Sequence, residues 1–366
     1  MTAGGQTGVI TVCEVEMSLR IVAGTANPLL AGAVATALGT EPVTGGVERF
    51  PDGELRPVVG HLRGDDVYVI QPTGPPVSDH LMELFLLLDA CRRAGAERIT
   101  AVLPYFGYAR QDRRGRAGEA VGARVVADAL AGSGAGRLVV VDPHTAALEA
   151  MCGIPVEMLT AVPALTAALA PMTREDAVVV APDLGAVKLA EHYASLLRRP
   201  VAVVRKTRVT GATVRAEEIA GDVDGRPAII VDDMISTGAT IEAAAGVVLA
   251  HGGVPGLAVV ATHGLLVGAA ASLLGRLPVR CVLTTDSLAR DESAMPALQV
   301  RSGCLERHDL RVDVPELGIP VRVLLPLDGL GIALQAVAGL PQQPGGVSEI
   351  LCEGVINKRQ CPRSQG

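Results

Sequence analysis

Short apolar runs, rich in β-branched residues, alternate with amphipathic stretches along most of this chain. That alternation narrows the fold to one class. The runs stand at 19–23, 67–70, 99–103, 138–141, 178–180, 201–204, 228–231 and 257–261. Helical periodicity fills the gaps at 28–38, 78–94, 118–131, 186–198, 240–251 and 265–274. Runs this uniformly apolar have no face for water, so both sides of each strand must be covered. A strand–helix–strand repeat covers them, which predicts an α/β fold of parallel sheets flanked by helices. Ligands of such sheets gather beyond the carboxyl ends of the strands. Most of the polar residues of interest follow one of these runs.

At 366 residues the chain is long enough for two domains. A boundary near 160 divides an N-terminal domain at 19–160 from a C-terminal domain at 161–327. Residues 161–176 read as a helix and a connector, and 288–320 follow no clean period and read as an insertion. A last strand at 321–325 precedes a helix at about 328–340 that is expected to pack back on the first domain. Residues 1–18 and 341–366 read as flexible extensions, the latter opening Pro341-Gln342-Gln343-Pro344. Met17, just ahead of the first strand, is an alternative start.

Composition excludes several classes. Half of the chain is hydrophobic but only 2% is aromatic, with no Trp, so the core is built from Ala, Val and Leu. A net charge of −7 gives no support to nucleic-acid binding. The seven cysteines make no CxxC pair and no zinc spacing, which favours free thiols in a reducing, cytoplasmic setting. No basic segment followed by an apolar run marks the N-terminus as a signal peptide. Residues 252–275 lack Asp, Glu, Lys and Arg, yet Gly and Pro interrupt them. They read as a buried strand, a turn at 262–264 and a helix rather than a membrane span.

The stretch from Val231 to Thr240 carries the most chemistry: Asp232 and Asp233 where a strand ends, then Ser236, Thr237, Gly238, Ala239 and Thr240 opening a helix. Backbone N–H groups, hydroxyls and the helix dipole of such a loop suit a phosphate. Paired carboxylates accept hydrogen bonds from two vicinal sugar hydroxyls. Together they point to a phosphorylated pentose. The plain alternative is a capped helix preceded by solvated Asp residues. Only three of the 32 basic residues are lysines, and Lys206 stands beside Arg205 and Arg208, where a compact ammonium has a use an arginine does not replace.

Further clusters are Phe50-Pro51-Asp52-Gly53-Glu54 after Arg49, Tyr105 to Asp112 with three of the seven aromatics beside Arg110 and Gln111, Asp142-Pro143-His144, Pro182-Asp183 and Lys206-Thr207-Arg208. Each alone reads more often as a structural histidine, packing or a solvated face than as a site. Taken jointly, the segments RFPDGE at 49–54, PYFGYARQD at 104–112, VDPH at 141–144 and VDDMISTGAT at 231–240 resemble the ribose-phosphate pyrophosphokinase family. The resemblance spans about 19–287 and 321–338.

That resemblance implies two stacked phosphoribosyltransferase-type domains with a site at their junction and at a subunit interface, hence a homo-oligomer. It implies transfer of a diphosphoryl group from ATP to the 1-hydroxyl of ribose 5-phosphate, with Mg²⁺ as cofactor. By motif, His144 and Asp183 match the magnesium site, Lys206 the catalytic cation and Arg208 the arginine beside it. Arg110 and Gln111 match ATP contacts, and Phe50, Asp52, Gly53 and Glu54 an adenine site lent by a neighbouring subunit. Arg208, Asp232, Asp233, Ser236, Thr237, Gly238, Ala239 and Thr240 match the sugar-phosphate site.

The chain also departs from the family pattern. Many members carry Asp where Ser236 stands and Gly where Ala239 stands. If position 239 needed a positive φ, its Cβ would cost about 1 kcal/mol. The loop after Lys206 is compact and ends at Gly221, and 112–124 lack the pattern of phosphate-regulated members. A regulatory paralogue without activity, or a diphosphokinase for another sugar phosphate, stays open as an alternative.

Overall fold

The computed structural model describes residues 17–43, 45–208, 214–289, 298–301, 311–313 and 320–322. Of these, 206–208, 214–217, 298, 300, 301, 311–313 and 320–322 are described by backbone alone. From the N-terminus, β1 (Leu19–Ala23) leads through α1 (Pro28–Ala37) and an antiparallel hairpin, β2 (Gly46–Arg49) and β3 (Leu55–Val58), to β4 (Asp66–Ile70). Then follow α2 (Val77–Arg93), β5 (Arg98–Leu103), α3 (Gly122–Ser133), β6 (Arg137–Val141), α4 (Leu148–Met151) and β7 (Val156–Leu159). Strands β1, β4, β5, β6 and β7 pair in that order, all parallel. Period-2 alternation divides their side chains between two cores. Val67 and Val69 face Leu84, Leu88, Val126 and Leu130 of α2 and α3, whereas Tyr68 and Ile70 face Leu30 and Val34 of α1.

The second sheet begins after α5 (Val162–Leu169). Its elements are β8 (Val178–Ala181), α6 (Val187–Leu197), β9 (Val201–Arg208), β10 (Val214–Ala220), β11 (Ala228–Ile235), α7 (Ala239–Ala250), β12 (Leu257–Gly264), α8 (Ala270–Gly275), β13 (Val279–Thr285) and β14 (Leu298–Arg301). The spatial order is β10-β9-β8-β11-β12-β13-β14, antiparallel only between β9 and β10. From β8 the chain runs outward to β9 by way of α6, then returns to place β11 on β8's other flank and continues away through α7 and α8. Helices α5 and α6 cover one face and α7 and α8 the other. The order reverses between β8 and β11, and a crevice opens beyond the carboxyl ends of two such strands. Asp183 lies just past β8, and the Asp pair lies in β11. A short pair, β15 (Arg311–Asp313) and β16 (Pro320–Arg322), is antiparallel.

Several sequence expectations shift. Strand β11 runs on through Asp232 and Asp233 to Ile235, because its ladder with β12 continues (Asp232 opposite Ala261, Met234 opposite His263). Backbone pairing outweighs the poor strand propensity of Asp. Thr262, His263 and Gly264 complete the wholly buried β12 instead of turning, and Leu266 and Gly268, both with positive φ, delay helix α8 to Ala270. Lys206 and Arg208 lie within β9, which pairs with β10, so the expected compact loop is largely a β-hairpin. The N-terminal turns expected at 118–121 are loop, and α3 starts at Gly122. Strands β2, β3, β7, β10, β13 and β14 had no clear sequence signal, and β14 falls inside the expected insertion at 288–320. The helix at about 328–340, the extension at 341–366 and all but Met17 and Ser18 of the extension at 1–18 lie outside the described residues. No helix among the described residues is long and apolar enough to cross a membrane.

Candidate active site at the junction of the two sheets

His144, three positions beyond the end of β6, reaches across from the first sheet to the second. Its Nδ1–H donates to Asp233 Oδ2 at 2.6 Å. The two carboxylates of β11 differ sharply in charge state. Burial works to raise Asp233, but the hydrogen bond and charge of His144 outweigh it and hold Asp233 below the usual carboxylate range. The same bond raises His144 above the usual imidazole value. Asp232 is pushed up to about 8, first by burial and then by the charge of Asp233, with Asp183 adding to it. Its Oδ1 also accepts the backbone N–H of Asp233 at 3.0 Å. In the free protein the pair therefore favours one protonated and one ionised carboxyl. It presents both a donor and an acceptor, which suits two adjacent hydroxyls.

The sign of the Asp232 shift makes a stability prediction. The folded protein keeps a proton that the unfolded chain loses above 3.8, up to about 8, so stability falls as pH rises through that window. Asp232→Asn carries no such linkage. In chelating buffer its melting temperature should match the parent's near about pH 4. By about pH 8 it should exceed the parent's by several degrees. Thermal melts by circular dichroism at both pH values check this, and a gap that does not widen with pH overturns it.

Beyond β11, Ser236 and Thr237 lead to Gly238, which caps α7 with φ +83. Glycine takes this left-handed backbone without strain. Ala239 is already the first helical residue, so its Cβ costs nothing and the concern over that position disappears. The loop is pinned from below, since Val267 N–H donates to the Ser236 carbonyl at 3.0 Å and Leu266 N–H to that of Ile235 at 2.9 Å. No side chain caps this 12-residue helix, and its first N–H groups, which an α-helix leaves unpaired within itself, suit an anion.

Asp183 follows β8, its Oδ1 accepting the N–H of Gly185 at 2.9 Å. Among the described residues no three His, Cys, Asp or Glu side chains converge tightly enough to hold a metal by themselves. The carboxylates of Asp183, Asp232 and Asp233 nevertheless lie close enough to repel one another. A hard divalent cation that keeps water and substrate oxygens as its remaining ligands fits such a set.

Arg110 and Gln111 follow β5 and are exposed. The charges of Arg110 and Asp112 are felt at His144, which places this segment at the same junction. Gln111 packs over Gly122, where a Cβ would lie 2.6 Å from Gln111 Oε1. Phe50, Asp52, Gly53 and Glu54 form the turn of the β2–β3 hairpin. Phe50 N–H donates to the Glu54 carbonyl at 2.8 Å, Gly53 takes φ +98, and the Arg56 guanidinium stacks 5.2 Å from the Phe50 ring centroid. No described hydrogen bond or ion pair joins this turn to His144 or the Asp pair. Lys206 and Arg208 lie on β9, opposite Ala216 and Val214, and their side chains lie outside what is described.

Sequence reasoning missed the groups that bind the two sheets together. Thr262 donates to Asp142 Oδ2 at 2.7 Å, and His263 Nε2 reaches the carbonyls of Val141 and Asp142 at 3.1 and 3.2 Å. Asn27 Nδ2 donates to the Asp286 carbonyl at 2.7 Å. Tyr105, Met234, Leu265 and Leu288 make a small shared apolar cluster. These partners stand more than a hundred residues apart in the chain, so no local signal announces them.

Comparison with known proteins gives a consistent picture. Residues 19–134 match the family model of the N-terminal domain of ribose phosphate pyrophosphokinase, and 157–265 that of the phosphoribosyl transferase domain. A ribose-phosphate pyrophosphokinase of Caldanaerobacter subterraneus subsp. tengcongensis is 40% identical over 290 residues, 78% of this chain and 91% of the relative. One from Aquifex aeolicus is 38% identical over 286 residues, covering 78% and 92%. The crystal structure of phosphoribosylpyrophosphate synthetase from Mycobacterium smegmatis superposes with a TM-score of 0.75 at 34% identity, covering 88% of this chain and 99% of that one.

Proposed function

The chain belongs to the ribose-phosphate pyrophosphokinase family, and on that footing we propose how its own residues carry out the reaction. It is an ATP-dependent diphosphotransferase that makes 5-phosphoribosyl 1-diphosphate and AMP from ATP and ribose 5-phosphate. The 1-hydroxyl oxygen of the sugar attacks the β-phosphorus, and the bond from that phosphorus to the oxygen bridging the α-phosphate breaks. AMP leaves with the bridging oxygen, and the hydroxyl proton passes to solvent.

The observation that carries this reading is the 2.6 Å bond from His144 to Asp233. It joins the unit bearing the nucleotide motifs to the unit bearing the sugar-phosphate loop. Asp232 and Asp233 hold the ribose hydroxyls. Ser236, Thr237, Gly238, Ala239 and Thr240, with Arg208, hold the 5-phosphate at the α7 N-terminus. Arg110 and Gln111 hold ATP, and Phe50, Asp52, Gly53 and Glu54 hold the adenine of a neighbouring subunit, which makes the protein a homo-oligomer. His144 and Asp183 hold Mg²⁺, which when bound neutralises phosphate charge. Lys206 and Arg208 offset the charge that builds on the transferred group. The division between the two domains is placed near residue 160. Free, buried Cys91 and Cys281 fit a cytoplasmic location.

The deciding experiment follows ATP, Mg²⁺ and ribose 5-phosphate by ³¹P NMR. Equimolar AMP and a 1-diphosphorylated sugar are expected. Folded protein that binds ATP but releases no AMP would overturn the assignment in favour of a regulatory paralogue or another sugar phosphate.

A further inference from the structure

The end of β6 is held from the opposite sheet by two consecutive side chains of β12, and neither lies among the residues assigned to substrate. Thr262 and His263 are each 1% exposed. The Thr262 hydroxyl donates to Asp142 Oδ2 at 2.7 Å, an oxygen that also accepts the Ala161 N–H at 2.9 Å. His263 Nε2 lies 3.1 Å from the Val141 carbonyl and 3.2 Å from that of Asp142. Carbonyls only accept, so Nε2 carries the proton. Nδ1 then has a lone pair, which takes the Ser287 hydroxyl at 2.8 Å. The Tyr105 ring meets the imidazole edge to face, with centroids 5.1 Å apart. Burial, the largest influence on this ring, disfavours its charged form.

What this grip holds is unusual backbone. Asp142 has φ +37, a conformation non-glycine residues seldom adopt without support. Two residues later comes His144. On the strand beside β12, Met234 pairs with His263, and its neighbour Asp233 receives His144. The grip and the contact it aligns therefore sit on adjacent strands.

We infer that Thr262 and His263 are positioning residues, a latch that docks the end of β6 onto the second sheet and so sets His144 against Asp233. The inference rests on the proposed function for its catalytic consequence. A latch of this kind fixes the donor half of the site relative to the acceptor half, and misplacement by about 1 Å costs up to about 100-fold in rate. The 5-phosphate loop and the Asp pair both belong to the second sheet, so the latch bears on sugar affinity only through the His144 contact.

Three variants of the full chain test this. His263→Phe keeps a ring but no donor, Thr262→Val removes only a hydroxyl, and His263→Gln returns an N–H near the Nε2 position. The Phe and Val variants should lose about 10–100-fold in kcat with KM for ribose 5-phosphate changed less than about threefold, and Gln should recover to within about threefold of the parent. Parental kcat in folded His263→Phe overturns the latch, as does a Gln variant as impaired as Phe. Thr262→Val decides the matter if the Phe variant does not fold. Independently of activity, long-range ¹H–¹⁵N spectra of the parent's histidine rings should show a neutral ring protonated at Nε2 alone, absent from His263→Gln. A His263 ring protonated at Nδ1 overturns the latch even in an active enzyme. An Nε2–H ring in a protein that releases no AMP leaves the latch standing and rejects the assigned reaction.

Discussion

Lys206→Ala is expected to lower kcat by about 10²–10³-fold, the usual cost of removing one group that stabilises developing charge. Lys206 lies on β9, next to β8, whose end bears Asp183, so its backbone is anchored in the sheet that forms the crevice. A cation used mainly in the transition state contributes little to ground-state binding, so KM for either substrate should move far less than kcat. Thermal stability should stay within about 2 °C, as expected of a side chain that serves the reaction and not the fold. Steady-state kinetics and melting curves of the same preparation check both statements. Parallel loss of activity and melting temperature would instead mark Lys206 as structural. Lys206→Arg should recover only part of the rate, because a planar fork does not replace a compact ammonium.

Asp233→Asn is expected chiefly to raise KM for ribose 5-phosphate, by about 10–100-fold, as loss of a charge-assisted hydrogen bond costs about 1.5–3 kcal/mol. A second effect follows from geometry. The bond to Asp233 is the main reason His144 stands above the ordinary imidazole value, so His144 should titrate lower in this variant. The sign follows from linkage. A raised folded value contributes stability that is complete below the unfolded value and is lost as pH rises through the folded one. The parent's advantage over Asp233→Asn in free-state stability should therefore include a part that fades toward alkaline pH. Kinetics, with ¹H–¹⁵N titration of His144, supply the test. An unchanged KM rules out the diol role, and an unmoved His144 rules out the coupling.

Much of the fold was legible because its signals are local. Buried parallel strands leave continuous apolar runs, and Ile229, Ile230 and Val231 are buried almost completely in the two cores on either side of β11. Helices over them leave a 3.6-residue period. The strands that escaped notice are short, as with β7, or mixed in polarity, as with β2, β3 and β10. The chemistry of 231–240 was legible for the same reason, since strand, loop and helix N-terminus are consecutive. The Ala239 concern came from the same stretch, but which residue takes the positive φ depends on where the helix begins, and Gly238 takes it.

The sequence alone determined the α/β class, the polar residues at strand ends and the residue types needed for a phosphate, a diol and a counter-charge. Those properties depend on neighbours within a few positions. Only the tertiary structure decided that β8 and β11 flank the switch point, that Asp232 and Asp233 take unequal charge states, and that Thr262 and His263 clasp the end of β6. Each of these depends on groups distant in the chain meeting in a buried, low-dielectric space, where one 2.6 Å contact sets the protonation of both partners.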